Sequence, residues 1–166
     1  MYVAGNASVT RSTLYNNSSI GSDGGAIYVS GFITRPESPD AAVSGQLSLV
    51  NSTVSGNSTS GAARGDGSTP GFGGGIYGGP GSVISLTNST ITDNFGGSNG
   101  AGVYVENLMG RGDVVGFGVT ARTTLIAKNG NGASDVAGQF NSLGYNLIGN
   151  AGSSIGFSSG TNDIVG

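Results

Sequence analysis

Asn51–Asn57 reads NSTVSGN, and thirty-seven residues later Asn88–Asn94 reads NSTITDN. The same pattern occurs as RSTLYNN at Arg11–Asn17 and, more loosely, as TTLIAKN at Thr123–Asn129. A glycine-rich motif ending in an aliphatic residue and tyrosine lies between the copies: GGAIYV at Gly24–Val29, GGGIYG at Gly73–Gly78 and GAGVYV at Gly100–Val105. The opening MYVAGN is the tail of another copy. The order Tyr2, Asn17, Tyr28, Asn57, Tyr77, Asn94, Tyr104, Asn129 alternates without exception, so one repeating unit contains both motifs.

The shortest units, Tyr2 to Tyr28 and Tyr77 to Tyr104, span 26 and 27 residues. Within a unit the apolar residues have period two, as at Leu47 and Leu49 or Ile84 and Leu86, which is strand spacing. The next apolar residue comes five positions later: Val9 to Leu14, Leu49 to Val54, Leu86 to Ile91. An odd step cannot stay on one face of a straight strand, so a corner lies between. Short strands joined by corners predict an all-β right-handed parallel β-helix, a solenoid of about six coils over residues 1–166 as a single domain. At about 4.8 Å per coil it is a rod of roughly 30 Å. RPESPD at Arg35–Asp40 and the stretch Ser58–Phe72 read as loop insertions.

This register assigns roles. Leu14, Ile27, Leu49, Val54, Ile76, Leu86, Ile91, Val103 and Ile126 face the core. Asn17, Asn57, Asn94 and Asn129 are structural corner residues that bond backbone groups the sheets leave unpaired. Tyr28, Tyr77 and Tyr104 point outward as a partial aromatic column open to surface contacts. Neither terminus carries an amphipathic helix or a charged capping repeat, which predicts a segment of a longer solenoid or a subunit that stacks end to end.

Composition narrows the function. Of the 166 residues 34 are glycine, only 9% are charged, and the net charge is −3, with one lysine and no basic face for nucleic acid. No apolar run approaches the ~18 residues needed to enter and span a bilayer. The first residues are unlike a secretion signal, so any export signal lies outside this segment.

GGAIYV, GGGIY, LTNSTITDN and especially DVAGQFNSLGYNLIGNAGSSIGF at Asp135–Phe157 resemble bacterial right-handed parallel β-helix proteins with choice-of-anchor Q domains, and more distantly the repeats of polymorphic outer-membrane proteins. The resemblance implies a secreted or surface-attached bacterial protein, extracellular or on the cell surface. It carries no catalytic residues.

With no His and no Cys, catalytic and metal roles fall to seven Asp and two Glu. Asp23, Asp66, Asp93, Asp113, Asp135 and Asp163 sit beside Gly, Asn or Ser and read as turn formers. No catalytic or metal residue is assigned, and no cofactor. Calcium is admitted only through loop carbonyls, since the nonapeptide calcium repeat is missing. RGD occurs at Arg64–Asp66 and Arg111–Asp113, and reads as chance in glycine-rich loops rather than as an integrin ligand. Asn-x-Ser/Thr begins at Asn6, Asn16, Asn17, Asn51, Asn57 and Asn88, but inward corner asparagines cannot carry sugar. An ice-binding threonine column fails, because Thr13, Thr53 and Thr90 are followed by Leu125.

The expected function is that of a non-enzymatic extracellular structural protein, a surface-layer component, spacer or filament subunit associating end to end. The alternatives are an adhesin or glycan-binding module using the three tyrosines, and a fragment of a polysaccharide lyase or glycoside hydrolase.

Overall fold

The structure is a computed structural model and describes residues 1–31, 44–60, 71–97, 99–106, 118–130 and 132–166. RPESPD, both RGD tripeptides and most of the Ser58–Phe72 insertion lie outside the described residues.

The chain is a parallel β-helix. Its first sheet stacks Tyr2–Val3, Ile27–Val29, Ile76–Gly78, Val103–Val105 and Val136–Ala137. The second stacks Asn6–Thr10, Gln46–Val50, Val83–Thr87, Val119–Arg122 and Phe140–Ser142. The third stacks Thr13–Tyr15, Thr53–Ser55, Thr90–Thr92, Leu125–Ala127, Leu147–Ile148 and Ile164–Val165. Five coils therefore close around one core and a sixth contributes a strand to the third sheet. All pairings are parallel and in register: Leu14, Val54, Ile91, Ile126 and Ile148 fall under one another.

The alternation of small hydroxyl residues with Val, Leu and Ile puts every second side chain inside, and the stacked aliphatics make the core. Ile27, Leu49, Val54, Ile76, Leu86, Ile91, Val103 and Ile126 are fully buried. Leu14 is only half-buried, a departure from the expected core position, because its coil has a packed neighbour on one side alone among the described residues.

The five-residue step is made by a left-handed turn. The residue three before each third-sheet inward position has positive φ in all six coils: Arg11 (49°), Asn51 (50°), Asn88 (48°), Thr123 (51°), Tyr145 (61°) and Asn162 (57°). Asn tolerates this region better than most residues, which explains its place at the head of NST. Glycine is required at Gly73, where φ is +63° and a Cβ would sit 2.3 Å from the Ile76 carbonyl oxygen.

The third sheet finishes on Ile164–Val165, whose side chains are exposed. After the fifth coil the chain crosses the end of the core, Ile155 bridges to Gln139, and the Phe157 ring packs on Phe140 at 4.9 Å.

Candidate functional site

The first chemical feature is a buried side-chain ladder. Asn57 and Asn94 have no exposed surface and Asn129 is 2% exposed. The backbone N–H of Asn57 donates to Asn94 Oδ1 at 3.0 Å, and Asn57 Nδ2 donates to the same oxygen at 2.8 Å. Asn94 repeats both bonds to Asn129 Oδ1, at 3.1 and 2.8 Å. The second hydrogen of each amide reaches backbone oxygens, as from Asn94 Nδ2 to Val54 and Thr92, both at 2.9 Å. Each rung thereby bonds a carbonyl of its own coil and one of the preceding coil. Asn17 is exposed rather than buried, yet it continues the ladder by donating to Asn57 Oδ1 at 2.9 Å from both nitrogens.

A second ladder runs beside it, and the sequence reading did not identify it. Ser12, Ser52, Ser89, Thr124, Asn146 and Asp163 precede the stacked third-sheet residues Thr13, Thr53, Thr90, Leu125, Leu147 and Ile164. Ser52 Oγ accepts from the Ser12 N–H at 3.1 Å, and Asn146 Oδ1 from the Thr124 N–H at 3.0 Å. The available signal was the second letter of each NST copy, aligned through YNLIGN and NDIVG, which are its fifth and sixth copies.

Both ladders end on carboxylates that the sequence reading placed in ordinary turns. Asp135 is 3% exposed and Asp163 8%. Asp135 Oδ1 accepts from Asn129 N and Nδ2 at 2.6 and 2.8 Å, and its Oδ2 accepts from the Asn150 N–H at 2.7 Å. Asp163 Oδ1 accepts from Asn146 N and Nδ2, both at 3.0 Å. Its Oδ2 takes the Thr161 hydroxyl at 2.5 Å and the Ser158 N–H at 3.2 Å. Burial pushes the Asp163 carboxyl up, but the bonds from Thr161, Asn146, Ser142 and Ser158 outweigh it and hold it below the usual carboxylate range.

The aromatic column is present but is not the open platform expected. The rings of Tyr2, Tyr28, Tyr77 and Tyr104 follow one another at 5.5, 4.9 and 5.8 Å, and Phe72 stacks on Tyr104 at 4.4 Å. Tyr77 is buried and Tyr28 and Tyr104 are half-buried, because in-register stacking turns each ring's faces to its neighbours. A sugar needs a free ring face, and Tyr77 offers none. Its hydroxyl donates to Glu106 Oε2 at 2.6 Å, and burial together with that bond pushes its pKa well above the usual tyrosine value.

Chain comparisons add no assignment: no protein family, characterised protein or solved structure matches this sequence. The site therefore stands on its own geometry. Two surface depressions lie outside the ladders. A cleft of about 400 Å³ joins Tyr2 and Tyr28 to Ser18, Ser19, Ser22 and Asp23, whose Oδ1 also accepts from the Phe72 N–H at 2.8 Å. A shallow groove of about 400 Å³ follows Ser8, Ser48 and Ser85 across the second sheet, where these hydroxyls have no side-chain hydrogen bond among the described residues. Among the described residues no three Asp or Glu side chains are placed to hold a metal ion.

Proposed function

We propose that this chain is a structural β-helix of the bacterial cell exterior, a rigid spacer that holds what is attached to it at a set separation, and not an enzyme. The observation that carries the reading is the double ladder. Backbone pairing ties each coil to the next through three sheets, and two columns of side-chain bonds tie the corners as well. The corner is where a solenoid would otherwise bend, so bonding there resists flexing along the axis. The resemblance to choice-of-anchor Q proteins supports placement outside the cell.

Rigidity is testable because the chain contains no cysteine, so introduced thiols can be spin-labelled without background. Ser8 and Asn141 are in one register column of the second sheet, four strand spacings apart, or about 19 Å. Labels placed there should give a single narrow distance distribution in pulsed electron resonance. A broad or concentration-dependent distribution would remove the spacer reading.

A second reading rests on the cleft at Tyr2 and Tyr28. An aromatic wall, three serine hydroxyls and one carboxylate are the groups that recognise a neutral sugar unit. A glycan array probes it, and binding lost in Tyr2→Ala would favour it over the spacer alone.

A further inference from the structure

The tyrosine column contains a hydroxyl whose proton has an acceptor inside the protein. Glu106 follows the strand Val103–Val105, and its backbone N–H donates to the Gly78 carbonyl at 2.9 Å, beside the strand that carries Tyr77. Side chains two apart along a strand share a face, so Glu106 projects outward with Tyr104, and its Oε2 accepts from the Tyr77 hydroxyl at 2.6 Å. Tyr77 is 3% exposed and Glu106 is half-buried. By contrast, the hydroxyls of Tyr2, Tyr15 and Tyr145, whose side chains are 68, 67 and 65% exposed, have no hydrogen-bond partner among the described residues.

The charge balance of the pair separates two reactions. At rest it carries one negative charge, on Glu106. Loss of the Tyr77 proton to solvent would set two negative charges side by side in a dry site; burial and the carboxylate both oppose that, and the tyrosine pKa is pushed up. Loss of an electron has the opposite result. The oxidised phenol gives its proton along the hydrogen bond to Glu106, and the pair becomes a neutral phenoxyl radical beside a neutral carboxylic acid. Burial disfavours the charged form, so the surroundings that block ionisation of Tyr77 favour its one-electron oxidation.

We propose that Tyr77 and Glu106 form a proton-coupled redox site, fed through the stacked rings on either side. The oxidant is an oxygen-centred radical such as carbonate radical anion, which takes one electron and leaves as carbonate. Tyr77 is too enclosed to meet it directly, but the half-buried Tyr28 and Tyr104 have their rings 4.9 and 5.8 Å from its own. An electron passes from Tyr77 to whichever ring has lost one, that ring recovers, and the Tyr77 proton moves to Glu106 Oε2. A thiolate that later returns one electron becomes a thiyl radical, the proton goes back from Glu106 to Tyr77, and the site is restored. The column is then a radical sink, which gathers oxidising equivalents at a buried and reversible position. It rests on these side chains whether or not the spacer reading holds.

Flash photolysis of the native chain with ruthenium tris-bipyridine and persulfate supplies a one-electron oxidant, and optical absorbance with electron spin resonance follows the tyrosyl radical. A long-lived radical should form at a rate that stays level across neutral pH, since its proton remains inside the protein. Glu106→Gln keeps an acceptor oxygen beside the ring, but a neutral amide does not take up the proton. Its radical yield should fall by about tenfold or more, the effect of one pK unit of lost stabilisation. Tyr77→Phe should lose the long-lived signal, whereas Tyr15→Phe and Tyr145→Phe should keep it. Native formation that rises with pH as it does for free tyrosine would overturn the proposal, even if a variant fails to fold. So would a folded Glu106→Gln with the native yield, a long-lived signal that survives in Tyr77→Phe, or one that vanishes in Tyr15→Phe or Tyr145→Phe.

Discussion

The asparagine ladder and the tyrosine column climb the same coils, arise from the same repeat and obey opposite rules. The ladder is inside, directional and closed by bonds: Asn94 alone serves as acceptor for two donors and donor to three acceptors. The column is outside and held by ring contact, which any apolar ring can supply, and it accepts Phe72 beside Tyr104 without loss of stacking. In the fifth coil both columns lose their residue, tyrosine becoming Ala137 and asparagine becoming Ala151. At the second of these places a buried carboxylate fills the gap. A polar group bonded inside the core is therefore hard to omit, because its partners cannot turn to water.

That contrast can be broken at four places. Asn94→Ala strands the donors of Asn57 and the carbonyls of Val54 and Thr92, and should cost about 3–4 kcal/mol in chemical denaturation. Gly102→Ala attacks the same ladder sterically. Its Cβ would lie 2.7 Å from Asn129 Nδ2, so a loss of about 2 kcal/mol is expected, read as a lower melting temperature. Tyr77→Phe keeps the ring in the column and removes only the bond to Glu106, with an expected loss of about 1 kcal/mol. Thr123→Asn should act in the other direction. A β-branched residue at φ 51° is replaced by the one found at Asn51 and Asn88, and thermal stability should rise by about 0.5 kcal/mol.

Acid separates the carboxylate rung of the second ladder from the amide rungs of the first. Asp163 has a depressed pKa in the fold, so its stabilisation is complete above the ordinary carboxyl value of about 4 and is lost as pH falls through the lower folded value. The amide resonances of Asn146 and Ser158 should shift together in that acid range, while those of Asn57 and Asn94, bonded to neutral amides, stay in place.

The coil architecture was legible because inward residues obey two rules that survive substitution, the period of two and the step of five. Val9 to Leu14 announces the same corner as Leu86 to Ile91. The asparagine column was legible for a related reason: it repeats at the end of each NST copy. Asp135 was not, because it enters the ladder from a neighbouring turn six residues away and breaks the register that reveals the others. The serine column was hidden behind the more conspicuous Thr and Asn beside it. Tyr77 was assigned to the outside correctly as to direction and wrongly as to exposure, since alternation tells which way a side chain points and not what lies against it.

NSTVSGN and NSTITDN place two kinds of asparagine within seven residues. Asn51 and Asn88 are exposed turn residues with positive φ, whereas Asn57 and Asn94 are buried rungs. Side-chain amide exchange by NMR separates them directly. The Nδ2 protons of Asn57, Asn94 and Asn129 should exchange as slowly as backbone amides in the core strands, and those of Asn51 and Asn88 at the rate of free asparagine. Equal and fast exchange at all five would contradict the ladder, and with it the account of how these coils are held together.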